Sequence, residues 1–184
     1  DAWLACGFGF VEVGTLTPRP QPGNPTPRLF RLIEHKAIIN RMGFNNPGID
    51  AAMERLEKRS GGGIVGVNIG KNFDTPNENA VDDYLICLRR AYAVADYIAV
   101  NISSPNTKGL RDLQAEEPIR KLVSTLKNEQ SNLATQHGKK VPLLVKIAPD
   151  LTEEQIDSLV RVFAEQSISQ KNRSTVWCGC LRNS

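Results

Sequence analysis

The chain has 184 residues and a formal net charge of +3, with 40% hydrophobic residues, enough for one domain with its own core. So small a charge, with Lys and Arg scattered rather than clustered, argues against a nucleic-acid partner. No apolar run is long enough to span a bilayer, and Asp1 opens no basic-then-apolar signal segment.

The first strand-like run covers residues 10–14 and is followed by Thr15. An excursion over residues 17–44 carries Pro18, Pro20, Pro22, Pro25 and Pro27, then two short apolar runs at 28–33 and 37–39 that read as a hairpin. The spacing of Ile49, Ala52, Met53 and Leu56 predicts a helix over 47–59, stopped by the glycines at 61–63. A second strand covers 64–70 and contains Asn68. Pro76 opens a helix whose stripe is Val81, Tyr84, Leu85, Leu88, Ala91 and Tyr92. A third strand, 97–103, contains Asn101, and the helix after Pro118 turns Ile119, Leu122, Val123 and Leu126 inward. The fourth strand, 143–147, contains Lys146. Thr152 to Gln155 is a capping-box pattern opening a helix with the stripe Ile156, Leu159, Val160 and Phe163. After Gln166 the pattern fails, and residues 167–184 read as an irregular tail.

This alternation predicts a parallel α/β sheet with helical crossovers. Thr15, Asn68, Asn101 and Lys146 each lie at or near a strand C-terminus, the end where a parallel α/β barrel gathers its active site. A polar side chain in an apolar strand is costly without a partner, so four in register point to a shared ligand. A closed barrel needs eight strand–helix units and about 250 residues, so a partial (β/α)8 TIM barrel is expected, roughly its first half. The Pro-rich hairpin insertion is expected on the catalytic face, where it could cover a ligand.

The densest chemistry is Asn101-Ile-Ser-Ser-Pro-Asn-Thr107, with two amides and three hydroxyls. Amides offer both donors and acceptors, as a ring bearing imide groups requires, and Pro105 restricts the loop. The same composition also reads as a Ser/Asn/Pro turn that caps its own backbone. Lys146 is either a cation aimed at a ligand's negative charge or a lysine reaching to solvent. Asn40-Arg-Met-Gly-Phe-Asn-Asn46 suits close approach to a ligand, though a simple turn explains it nearly as well. The glycines at 61–63 precede a strand, the wrong order for a dinucleotide fingerprint. Cys6, Cys87, Cys178 and Cys180 form neither a disulfide framework nor a zinc ribbon. His35 in a hairpin turn and His137 in a polar loop are expected in solvent, and no metal site is expected.

Together with Thr17-Pro-Arg-Pro-Gln-Pro-Gly23, Pro27-Arg-Leu-Phe-Arg31, Asn68-Ile-Gly-Lys71 and Lys146-Ile-Ala-Pro-Asp150, these segments resemble the quinone-dependent (class 2) dihydroorotate dehydrogenases. The likeness runs in order from about residue 1 to 163, as one partial FMN barrel domain over 1–166. It implies a flavin enzyme oxidising dihydroorotate to orotate in pyrimidine synthesis, with FMN as hydride acceptor and a quinone as final acceptor. By that motif Ser104 would be the base taking the ring C5 proton. Thr15, Asn68, Asn101 and Lys146 would contact FMN, with Lys146 offsetting the charge of its reduced form. Asn40, Arg41, Met42, Gly43, Phe44, Asn101 and Asn106 would bind the substrate. The family is peripheral to the cytoplasmic side of the inner membrane through an N-terminal helical pair. That pair, the first barrel strand and the phosphate-holding second half have no counterpart in these residues, so this chain alone is expected to be inactive. A non-catalytic fragment or relic, or another FMN-dependent barrel oxidoreductase, are the alternatives.

Overall fold

Apolar residues at every second position of the strands set the layers of this fold. The structure is a computed structural model and describes residues 1–107 and 109–166. In chain order the elements are α1 (Ala2–Ala5), β1 (Phe10–Leu16), β2 (Leu29–Leu32), β3 (Ala37–Asn40), α2 (Ile49–Leu56), β4 (Ile64–Ile69), α3 (Ala80–Ala91), β5 (Tyr97–Asn101), α4 (Glu116–His137), β6 (Leu143–Lys146) and α5 (Glu153–Glu165). β1, β4, β5 and β6 form one parallel sheet in that order, and β2 and β3 pair as a separate antiparallel hairpin. Each strand lies beside the next in sequence, with a helix between. That is the winding of a barrel wall, and the parallel half-barrel expected from the sequence is what forms.

One face of the sheet carries the core. Val67 and Ile69 of β4 and Ile98 and Val100 of β5 are buried together with Met53, Tyr84, Leu88 and Leu122 from α2, α3 and α4. Each such side chain contributes about 1.5–3 kcal/mol on burial. Two tyrosines also fix backbone here. Tyr92 is fully buried; its hydroxyl accepts from Val141 N at 3.1 Å and lies 3.2 Å from Lys139 O and 3.3 Å from Gln130 O. Tyr84 donates to Asn101 O at 2.8 Å, holding the end of β5.

The other face carries Glu12, Asn68, Tyr97, Ala99 and Lys146. Thr15 reaches it only because β1 is irregular. The register pairs Val13 with Val67 but Leu16 with Ile69, so β1 holds one extra residue. Without it the period-two alternation would turn Thr15 toward the helices, alongside Val11 and Val13. The extra residue is Gly14, with φ +125, and a Cβ there would lie 2.4 Å from Asn68 O. No other residue fits.

Several expectations are corrected in detail. The first long helix covers Ile49–Leu56 rather than 47–59, so the glycines at 61–63 belong to the connection before β4 and do not end the helix. The helix after Pro76 begins with a 3₁₀ turn, Asn77–Asn79, before α3. His137 is the last residue of α4 rather than part of a loop, and its ring lies 5.5 Å from that of Tyr92. On α5 the capping box is present, with Gln155 N donating to Thr152 Oγ1 and Thr152 N to Gln155 Oε1. Its buried residues, however, are Leu159, Val162 and Phe163. Ile156 and Val160 are 40% and 51% exposed, because α5 packs on α4 with the adjacent flank of the helix. The reading of 167–184 lies outside the described residues.

Gly14→Ala combines a disfavoured φ with a backbone clash, and should destabilise the fold by about 2–3 kcal/mol. A lower urea midpoint at unchanged slope checks this. An unchanged midpoint would mean that the extra residue is not a fixed feature of β1.

Candidate active site

The polar residues at the strand C-termini form one continuous hydrogen-bonded chain. Lys146 Nζ donates to Ser103 Oγ at 2.9 Å, and Ser103 Oγ donates to Asn101 Oδ1 at 2.9 Å. Asn101 Nδ2 donates to Thr15 Oγ1 at 2.8 Å, and Thr15 Oγ1 donates to Asn68 Oδ1 at 2.7 Å. Asn68 Nδ2 donates to Glu12 Oε1 at 2.8 Å, while the Tyr97 hydroxyl donates to Glu12 Oε2 at 3.0 Å. All four strands contribute. Asn68, Asn101 and Ser103 are buried, and Thr15 and Lys146 are half-buried. Burial, and then the neighbouring Glu12 carboxylate, push the Tyr97 phenol above its ordinary range, so it remains a donor.

The four residues singled out at strand ends are therefore brought together. Glu12, Ser103 and Tyr97 were missed. Glu12 had a signal: it stands in Val11-Glu12-Val13, as exceptional in an apolar strand as Lys146 in Val145-Lys146-Ile147. Tyr97 had none, because its role depends on the register that lays its ring over Gly66, where a Cβ would lie 2.0 Å from the ring.

The loop after β5 is held from three sides. Ser103 N donates to Asn101 Oδ1 at 3.1 Å, Arg111 Nε donates to Ser103 O at 3.1 Å, and Arg111 also pairs with Asp150 at 2.9 Å. That pairing holds the Asp150 carboxyl below its usual range. Ser104 is half-buried, and its Oγ accepts from Asn106 N at 3.2 Å. Ser104 thus stands one residue from the chain's Ser103, with Asn106 two residues further on.

The insertion is anchored at its base rather than along its length. Asn72 Nδ2 donates to Gln21 Oε1 at 2.9 Å and to Arg19 O at 3.0 Å, while Arg19 N donates to Asn72 Oδ1 at 3.1 Å. Beside it Lys71 is almost fully buried and donates to Thr75 O at 2.8 Å. Burial draws its ammonium below the ordinary lysine range, opposed by Asp83 and Asp74. The β2–β3 hairpin is exposed along both strands.

Of residues 40–44, Phe44 is the one brought to the strand ends. A Cβ on Gly70 would lie 2.8 Å from the Thr15 methyl and 3.1 Å from the Phe44 ring, so Gly70 lets both close in. Asn40 is exposed and accepts from Met42 N at 3.4 Å. Arg41 donates to Pro27 O, Met42 O accepts from Asn24 N, and Gly43 O accepts from Gln21 Nε2. These bonds shape the loop and make no contact with the strand-end chain.

The arrangement suits a ligand rich in acceptors. Within the chain, Asn68 and Asn101 each use one amide N–H and Lys146 uses one of three, so one, one and two donors remain. Among the described residues no group of three or more His, Cys, Asp or Glu could hold a metal ion.

Residues 1–179 match the family model for dihydroorotate dehydrogenase. The dihydroorotate dehydrogenase (quinone) of Stenotrophomonas maltophilia strain K279a is 62% identical over 169 residues, which is 91% of this chain and 48% of that protein. That of Akkermansia muciniphila is 64% identical over 91% of this chain and 49% of its own length. The crystal structure of DHODH from Eimeria tenella in complex with ferulenol superposes with a TM-score of 0.79 at 43% identity, covering 88% of this chain and 48% of that one. Its ligand-free form gives 0.79 at 46% identity. The chain thus spans about half the length of the relatives it matches. With the partial barrel and its strand-end polar chain described above, the match places this chain in the dihydroorotate dehydrogenase family.

Proposed function

We propose that residues 1–166 form part of an FMN barrel whose complete protein oxidises dihydroorotate to orotate and passes the electrons to a quinone, in pyrimidine biosynthesis. The observation that carries this is the donor-rich chain from Lys146 to Asn68 at the ends of four parallel strands, with Ser104 beside it. When bound, FMN supplies the hydride acceptor. Asn68, Asn101 and Lys146 would hold it through their remaining N–H groups, with Thr15 fixing the spacing of the two amides. The Lys146 ammonium would offset the negative charge of the reduced flavin.

Ser104 Oγ would take the substrate's C5 proton and give up its own hydroxyl proton to water, and FMN when bound would supply the acceptor for the C6 hydride. The backbone N–H of Asn106 donates to that oxygen and stabilises the alkoxide character it needs to act as a base. Asn40, Arg41, Met42, Gly43, Phe44, Asn101 and Asn106 bind the substrate in this reading. Phe44 is the ring that excludes water at the strand ends, and Asn40 is a carboxylate or amide contact that reaches the ligand when the site closes.

A quinone acceptor, as in the relatives' own names, supports a membrane-associated reading, in which the complete protein would be peripheral to the cytoplasmic side of the inner membrane. Among the described residues no helix is long and apolar enough to cross a membrane.

In a complete-barrel form, Ser104→Ala should slow dihydroorotate-driven bleaching of the flavin absorbance by roughly 10²–10⁴-fold while orotate still binds. Bleaching at the normal rate would remove Ser104 as the base. The 184-residue chain alone, by contrast, should purify without stoichiometric FMN, because among the described residues nothing pairs the outer edges of β1 and β6 or covers Phe10 and Ile64. Yellow protein that dihydroorotate bleaches would overturn that reading.

A further inference from the structure

Glu12 is the one carboxylate of the strand-end chain, and it lies beside Phe10, Ile64, Tyr97 and Leu144 in the apolar part of the sheet face. It occupies a single row across three strands: Glu12 pairs with Gly66 in register, and Gly66 pairs with Tyr97. Because Gly66 has no side chain, the Tyr97 ring crosses it and its hydroxyl reaches Glu12. Both carboxylate oxygens are then engaged, one by Tyr97 and one by Asn68 Nδ2.

A carboxylate only accepts and an ammonium only donates. The groups between them can each do both, and an Asn amide or a hydroxyl can turn around. The two ends remove that freedom. Glu12 requires the NH2 of Asn68, so Asn68 must offer its oxygen to Thr15. Thr15 then has a lone pair for the NH2 of Asn101, and Asn101 has its oxygen for Ser103. Ser103 in turn accepts from Lys146. Every bond points from Lys146 toward Glu12. The Lys146 end fixes Ser103 and Asn101, the latter also through the Ser103 N–H. Asn68, at the far end, is fixed by Glu12.

We infer that Glu12 is a positioning residue: it sets the donor direction of the chain, so that Asn68 presents an N–H rather than a carbonyl to an acceptor-rich, flat heterocyclic ligand. The inference rests on reading the chain as a flavin cradle, and adds the residue that gives the cradle its polarity. Replacing the carboxylate by an amide leaves the shape intact but offers Asn68 either an oxygen or an NH2. Asn68 can then turn its oxygen toward Glu12's successor and its NH2 toward Thr15, which breaks the one-way order.

The test is FMN binding by the complete-barrel enzyme, wild type against Glu12→Gln and Glu12→Asp, with thermal midpoints measured alongside. E12Q should weaken FMN binding about tenfold and shift the visible absorbance of the bound flavin, with the thermal midpoint of the flavin-free protein unchanged. E12D, which keeps two acceptor oxygens, should recover most of both. E12Q binding FMN within twofold of wild type, with an unshifted spectrum, would overturn the inference, as would an E12D no better than E12Q. Should E12Q fail to fold, Asn68→Leu keeps the volume and removes the N–H that Glu12 orients. FMN binding weakened about tenfold in N68L supports the inference, and binding within twofold of wild type overturns it. A wild-type enzyme that takes up no flavin at all would instead sink the proposed function.

Discussion

A polar group on the face of an apolar sheet must find a partner, and in this fold each such group finds the next one along. An unpartnered buried amide or hydroxyl costs on the order of 1–3 kcal/mol, so Asn68, Asn101 and Ser103 could not sit where they do singly. They are tolerable as links between a terminal cation and a terminal anion. The same condition reaches into the backbone. Thr15 belongs to the chain only because Gly14 adds one residue to β1, and Glu12 is reached by Tyr97 only because Gly66 has no side chain. Two glycines that serve no turn are thus part of the polar site.

The rest of the architecture holds that row in place. Tyr84 ties the carbonyl of Asn101 to α3, and Arg111 ties the Ser103 carbonyl to Asp150 beyond β6. Asn72 binds the base of the insertion to the end of β4, which brings the returning segment near enough for Phe44 to close over Gly70. Among the described residues the hairpin strands are exposed and make no hydrogen bond to the strand-end chain. An insertion with this many prolines keeps its shape through loop bonds such as Arg41 to Pro27, not through a core.

The sequence made the order of elements legible because each apolar stripe has one period, and it made Asn68, Asn101 and Lys146 legible because each interrupts such a stripe. It did not show which way Thr15 faces. Strict alternation from Val11 and Val13 would turn Thr15 toward the helices, and only the pairing of β1 with β4 reveals the extra residue. Glu12 obeys the same rule as Lys146, but it stands mid-strand, where position does not mark it as part of a site. On α5, period 3.6 admitted two adjacent stripes, and only the position of α4 decides between Ile156 with Val160 and Val162 with Phe163. What one element's sequence cannot encode is where its neighbour lies.

The two faces of the sheet stand in different conditions, and this bears on what the chain can do. Toward the helices, Val67, Ile69, Ile98 and Val100 are buried to within a few per cent, so this layer is satisfied by the described residues themselves. The opposite face is layered along the strands: Phe10 and Ile64, half exposed, lie at the N-terminal end, and the polar chain lies toward the C-terminal end. Its apolar part wants a covering layer, and its polar part wants a ligand with acceptors. A closed barrel meets both demands at once, since inward side chains from further strands fill the lower layer while the mouth stays open to the ligand. The described strands therefore supply one side of a candidate site, with a row of amide donors and a cation at its end. The enclosure that would make those charges strong must come from what packs against Phe10, Ile64 and Leu144.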